Sequence, residues 1–104
     1  MLEKDITNAI MRYLKTVPSC FAWKEHGGIY GTAGLPDILC CIGGRFVGFE
    51  VKTPANAGSS GGRGRPEGKL TKLQESTIAK IKAAKGQAFK VTSVGEVKAI
   101  IENL

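Results

Sequence analysis

The chain of 104 residues is 42% hydrophobic and 23% charged, and fifteen Lys and Arg against nine Asp and Glu give a formal net charge of +6. That length allows a single core with no separate regulatory domain, and no segment approaches the roughly 20 apolar residues needed to cross a bilayer. The positive balance favours a polyanionic partner, while Cys20, Cys40 and Cys41 lack the CxxC spacing of zinc sites and read as reduced core residues.

In chain order, the charged start Met1-Leu2-Glu3-Lys4-Asp5 is unlike a secretory leader and opens a helix over 3–15. Its apolar stripe is Ile6, Ile10, Tyr13 and Leu14, and Pro18 follows where a helix must have ended. Residues 21–24 read as a short strand, with Phe21 and Trp23 alternating toward a core. A loop over 26–36 holds four glycines, and its His26, alone and without a partner at ligand spacing, is left out of any site. Two strand-like runs, 37–42 and 45–52, are joined by Gly43-Gly44, a dipeptide suited to a tight hairpin. Residues 54–69 are rich in Gly, Ser and Arg and are expected to be a loop that is mobile without a ligand.

Leu70, Leu73, Thr77, Ile78, Ile81 and Ala84 mark one face of a second helix, with Gly86 as the expected C-terminal cap. A fourth strand over 88–91 precedes Ser93 and Glu96, a capping-box pattern opening a third helix that carries Val97, Ile100, Ile101 and Leu104. The predicted order is α-β-β-β-α-β-α in one domain, residues 1–104. A domain this small gains burial by self-association, so a homodimer is expected.

A two-residue turn at Gly43-Gly44 pairs Ile42 with Arg45 and sets Asp37 directly opposite Glu50. Carboxylates opposed on one sheet face, with Cβ atoms about 5 Å apart, repel unless a proton or a cation lies between them. Strand alternation adds Lys52 to the face of Glu50 and turns Val47, Phe49 and Val51 to the other. Hard oxygen ligands suit Mg²⁺ or Mn²⁺, an ion able to polarise a phosphoryl oxygen and activate water, with Lys52 orienting that water or offsetting developing negative charge. On helical spacing Glu3 shares the inward stripe of Ile6 and Ile10, where a cation would satisfy it, and Gln74 lies inward beside Leu73, where its amide needs a partner.

Gly34-Leu35-Pro36-Asp37, the hairpin and Glu50-Val51-Lys52 resemble the PD-(D/E)XK nuclease superfamily. With the element order, Glu3 in the first helix and Gln74 in the helix after the motif, nearly the whole chain is similar to the VRR-NUC branch, in its small stand-alone, phage-type form. That resemblance implies an α/β restriction-endonuclease-like core with a mixed central sheet flanked by helices. It implies metal ligation by Glu3, Asp37, Glu50 and the Val51 carbonyl, with Lys52 assisting the attacking water and Gln74 supporting the site. It further implies a homodimer that cleaves branched DNA, four-way junctions above all, in the cytoplasm of a bacterial or phage-infected cell, with nucleoid association open.

Eight of the fifteen basic residues lie between Arg63 and Lys90, and Arg63, Arg65, Lys69 and Lys72 are candidates for phosphate-backbone contact. Two alternatives stay open. A flap-directed or restriction-like nuclease would share the motif and differ in the surfaces around it, and a non-catalytic basic DNA-binding module would use the fold without the chemistry.

Overall fold

The computed structural model describes residues 2–25, 32–56 and 64–104. Helix α1 (Glu3–Leu14) buries Ile6, Ile10 and Leu14. That stripe, at three- and four-residue spacing, is the one the periodicity predicts. Strands β1 (Cys20–Lys24), β2 (Ile38–Ile42) and β3 (Arg45–Val51) form an antiparallel meander, and β4 (Gln87–Val91) lies parallel to β3 after a crossover through helix α2 (Lys72–Ala83). Helix α3 (Val94–Glu102) closes the chain. The result is a four-stranded mixed sheet in the order β1-β2-β3-β4 with three helices, a small α/β fold. Among the described residues no helix is long and apolar enough to cross a membrane.

The Gly43-Gly44 turn has both residues at positive φ, 56° and 82°, the mirror-image turn that glycine adopts without strain. It fixes the register: Ile42 pairs with Arg45 and Ile38 with Phe49. Val47, Phe49 and Val51 consequently share one face with Ile38, Cys40 and Ile42, and that face packs on α1 and α3 as the main core. Phe49 stacks on Phe89 with ring centroids 6.3 Å apart, and the Lys98 ammonium of α3 lies 5.2 Å from the Tyr13 ring of α1. Helix α2 packs along β4 on the opposite face, over the buried Ala88.

Three expectations change. Phe21 and Trp23 do not enter the core: Phe21 is 70% exposed and Trp23 38%. The β1 side chains packed on the core are the smaller Cys20 and Ala22, because α1 lies against this edge strand and leaves room only for small groups. Of the cysteines, all free, Cys40 is buried, Cys20 is half-buried and Cys41 is exposed on the face opposite the core. Burial raises the Cys20 thiol and pushes Cys40 up to about 12, as expected of inert structural thiols. The C-terminal cap of α2 falls one residue earlier than Gly86: Lys85, at φ 75°, takes the left-handed position. The Lys85 N–H donates to the Lys82 carbonyl at 3.0 Å and the Gly86 N–H to the Ile81 carbonyl at 2.9 Å, the paired bonds of a Schellman end.

Candidate active site

Pro36 brings the chain into β2 without an N–H to give, and it lies so close over β3 that a Cβ on Gly48 would sit 2.8 Å from its Cγ. Two residues earlier, Gly34 at φ 84° touches α2, where a Cβ would meet Leu73 and Thr77 at 2.7 Å. The Gly34-Leu35-Pro36 segment is thus wedged between α2 and β3, which sets the position of Asp37. The Val51 N–H, left without a ladder partner at this end of the hairpin, donates to Asp37 Oδ2 at 2.8 Å. The Glu25 N–H donates to the Asp37 carbonyl at 2.8 Å.

Asp37 stands one step beyond the Ile38–Phe49 pair, opposite Glu50, and the two carboxyls are within hydrogen-bonding reach. Glu50 is 2% exposed and is the one buried charged or polar side chain among the described residues. Burial first, and then the hydrogen bond and negative charge of Asp37, push its carboxyl up from 4.5 to about 8, while the Lys52 ammonium acts in the opposite direction. Lys52 extends the β3–β4 ladder, its N–H donating to the Val91 carbonyl at 2.9 Å, and its side chain is half-buried. The register therefore sets Asp37 beside Glu50, with Lys52 on the same face and near enough for its ammonium to act on the Glu50 carboxyl.

The other expected site residues are placed differently. Glu3 is exposed in the first turn of α1, one turn before the stripe reaches covered surface at Ile6. Among the described residues no set of three His, Cys, Asp or Glu is placed to hold a metal ion, so Glu3 does not join the two acids here. Gln74 serves the start of α2: its N–H donates to Thr71 Oγ1 at 3.1 Å and its Oε1 accepts from the Thr71 N–H at 2.9 Å, a reciprocal capping box. The signal for this role, Thr71 followed three residues later by Gln74, was present in the sequence. Val51 meets Asp37 through its amide N–H.

Arg65, Lys69 and Lys72 are exposed, whereas Arg63 and His26 lie outside the described residues. The expected loop 54–69 has a paired stem. Asn56 and Arg65 exchange backbone hydrogen bonds at 2.7 Å, the Gly68 N–H donates to the Thr53 carbonyl at 2.9 Å, and Glu67 pairs with Lys90. Residues 57–63 between the two arms lie outside the described set.

A cleft of about 310 Å³ opens beside Asp37, lined by Lys4, Thr7 and Asn8 of α1 with Lys24 and Glu25. Sequence reasoning singled out none of these five, and by turning Phe21 and Trp23 of β1 toward the core it had no reason to consider Lys24. A larger cleft of about 400 Å³, bounded by Arg45, Phe89, Ile100 and Leu104, is remote from the acids and brings no reactive groups together.

The two acids, one of them buried and held largely protonated near neutral pH, fit a hard divalent cation, since a cation would relieve the repulsion that the proton now relieves. The donors are all oxygen, which suits Mg²⁺ or Mn²⁺ over zinc. No protein-family model matches the chain, and neither a curated protein nor a solved structure matches it.

Proposed function

We propose that this protein is a Mg²⁺- or Mn²⁺-dependent endonuclease of the PD-(D/E)XK type, of the VRR-NUC kind, which hydrolyses phosphodiester bonds in branched DNA, four-way junctions first. The observation that carries this is the buried Glu50 within hydrogen-bonding reach of Asp37, with Lys52 on the same sheet face. A buried carboxyl set beside a second acid is costly as a purely structural device, and an ammonium on the same face is the group that a reaction at phosphate would use. The element order and the net charge of +6 are in keeping with it.

Asp37 and Glu50 would hold the cation, with the Val51 carbonyl as the remaining ligand of the motif. Mg²⁺ commonly takes one or two protein carboxylates and keeps several waters, so Glu3 would act through water from the first turn of α1. When bound, the ion supplies a polarised phosphoryl oxygen and a water of lowered pKa. Lys52 donates hydrogen bonds, orienting the attacking water or offsetting the negative charge that grows on the phosphate oxygens. Val51 fixes the Asp37 carboxylate through its N–H, and Gln74 holds the start of α2, the helix against which Gly34 is wedged. Arg65, Lys69 and Lys72, with Arg63, supply backbone charge contacts. A homodimer would present two such sites to the two-fold symmetry of a junction.

The test is cleavage of labelled four-way junction, flap, duplex and single strand by the wild type and by Glu50→Gln, in Mg²⁺, Mn²⁺ or chelator. Metal-dependent cutting of the junction is expected, lowered on the order of 100-fold or more by Glu50→Gln, the usual cost of removing a group aimed at the reacting centre. Faster cutting of the flap would transfer the protein to flap-directed nucleases. Tight junction binding with no cutting in either metal would make it a binding module.

A further inference from the structure

Lys24 occupies a position that the fold would ordinarily give to an apolar residue. Cys20, Ala22 and Lys24 share the face of β1 turned toward α1, and the first two pack on the core. Lys24 is half-buried, and its ammonium donates to the Asn8 side-chain oxygen on α1, a neutral acceptor. Among the described residues the one ion pair is Lys90–Glu67, so neither Lys24 nor Lys4, which lines the same cleft, has a carboxylate within ion-pair distance. A half-buried ammonium held by a neutral acceptor, with no carboxylate within ion-pair distance, keeps its charge available to an anion from outside.

The space in front of it suits such an anion. The cleft of about 310 Å³ is open to solvent, with Lys4, Lys24, the Asn8 amide and the Thr7 hydroxyl on its walls together with two acids, Glu25 and Asp37, so an anion would have to sit on the lysine side, away from them. Asp37, a proposed metal ligand, is among the residues that line the same cleft. An anion held by Lys24 would therefore lie beside the reacting phosphate without being that phosphate.

We infer that the cleft between α1 and the adjoining ends of β1 and β2 binds a phosphodiester of the DNA strand next to the one cleaved, with Lys24 as its charged contact. Asn8 is a positioning residue that aims Lys24, and Lys4 adds charge from the exposed first turn. This rests on the nuclease proposal for which phosphate is held, whereas the anion site itself rests on the cleft. Its consequence for the reaction is register: seating the neighbouring phosphate on Lys24 sets which bond reaches Asp37 and Glu50.

The experiment measures binding of a labelled four-way junction by the full chain in chelator, across a range of salt concentrations, for wild type, Lys24→Gln, Lys24→Arg and Lys4→Gln. Lys24→Gln is expected to weaken binding and to reduce the slope of log affinity against log salt by about one per bound protomer. Lys24→Arg should keep the slope, and Lys4→Gln, too exposed to disturb the fold, should shift binding in the same direction by less. Wild-type affinity and slope in both Gln variants would overturn the inference, as would a loss in Lys24→Arg equal to that in Lys24→Gln, since packing and not charge would then be at issue. A protein that binds junctions with a Lys24-dependent slope but cuts none keeps the cleft and loses the nuclease assignment. Metal-dependent cutting with no Lys24 dependence of the salt slope does the reverse, and absence of any DNA binding by the wild type removes both.

Discussion

With no cation beside it, Glu50 keeps a proton that the unfolded chain would release. Its folded value, about 8, lies above the ordinary 4.5, so folding takes up a proton between those two pH values. Stability in chelator must then fall as pH rises through that window, by at most about 1.4 kcal/mol per pH unit, and level off above pH 8. Glu50→Gln keeps the neutral form at every pH. Thermal melts in chelator should show the variant melting above the wild type at pH 8 and the two converging toward pH 5, and a pH-independent gap would mean that the burial penalty is misassigned. Asp37, Glu50 and Lys52 were legible in the sequence because a two-residue glycine turn leaves one register, and register alone sets them on one face. Lys24 was not legible, since a period of two offers two equal faces and does not say which of them a helix will cover, and Asn8 on α1 was not because its partner Lys24 was not. Glu3 failed for a related reason: helical spacing gives direction, but nothing in it marks where along the helix the covered surface begins.

Among the elements, the described helices and strands fall within a residue or two of their sequence signals, because each is bounded by a strong local one: Pro18, Gly43-Gly44, Thr71 with Gln74, Ser93 with Glu96. Capping geometry is finer than such signals resolve. Glu96 reaches one residue beyond the Ser93 cap, accepting from the Thr92 N–H at 2.6 Å, while its own N–H donates to Ser93 Oγ at 3.2 Å. At the end of α2 a lysine takes the left-handed residue while the glycine one place on serves a different need. A Cβ on Gly86 would sit 2.9 Å from Ile81 Cγ2, so close approach to the helix outweighs conformational freedom there. Lys85→Gly should accordingly stabilise the protein by up to about 1 kcal/mol through relief of the left-handed strain, part of which is offset by the larger entropy of glycine in the unfolded chain. Chemical denaturation at constant m-value checks it, and a loss of stability would show that the Lys85 side chain has contacts of greater worth.

The molecule as a whole is unequal across its sheet. One face carries α1, α3 and the main core, whereas on the other α2 packs along β4, and among the described residues the β1 side keeps an open strip where Phe21 and Trp23 lie 5.5 Å apart beside Cys41. The fold class followed from the order of elements, but this imbalance did not, because coverage depends on how three helices share two faces and that is a property of packing. The open strip gives the protein a spectroscopic address of its own. Trp23 is the only tryptophan in the chain, and Cys41 is the only exposed thiol of the three. Under native conditions a thiol reagent should modify one equivalent quickly, with Cys20 and Cys40 following only on unfolding, and Cys41→Ser should abolish the fast phase; three equal rates would contradict the burial described. A quencher attached at Cys41 should dim Trp23 across two neighbouring strands. Any strand of DNA or second copy of the chain laid over that side of the sheet would then announce itself as a change in light, without a label on the partner.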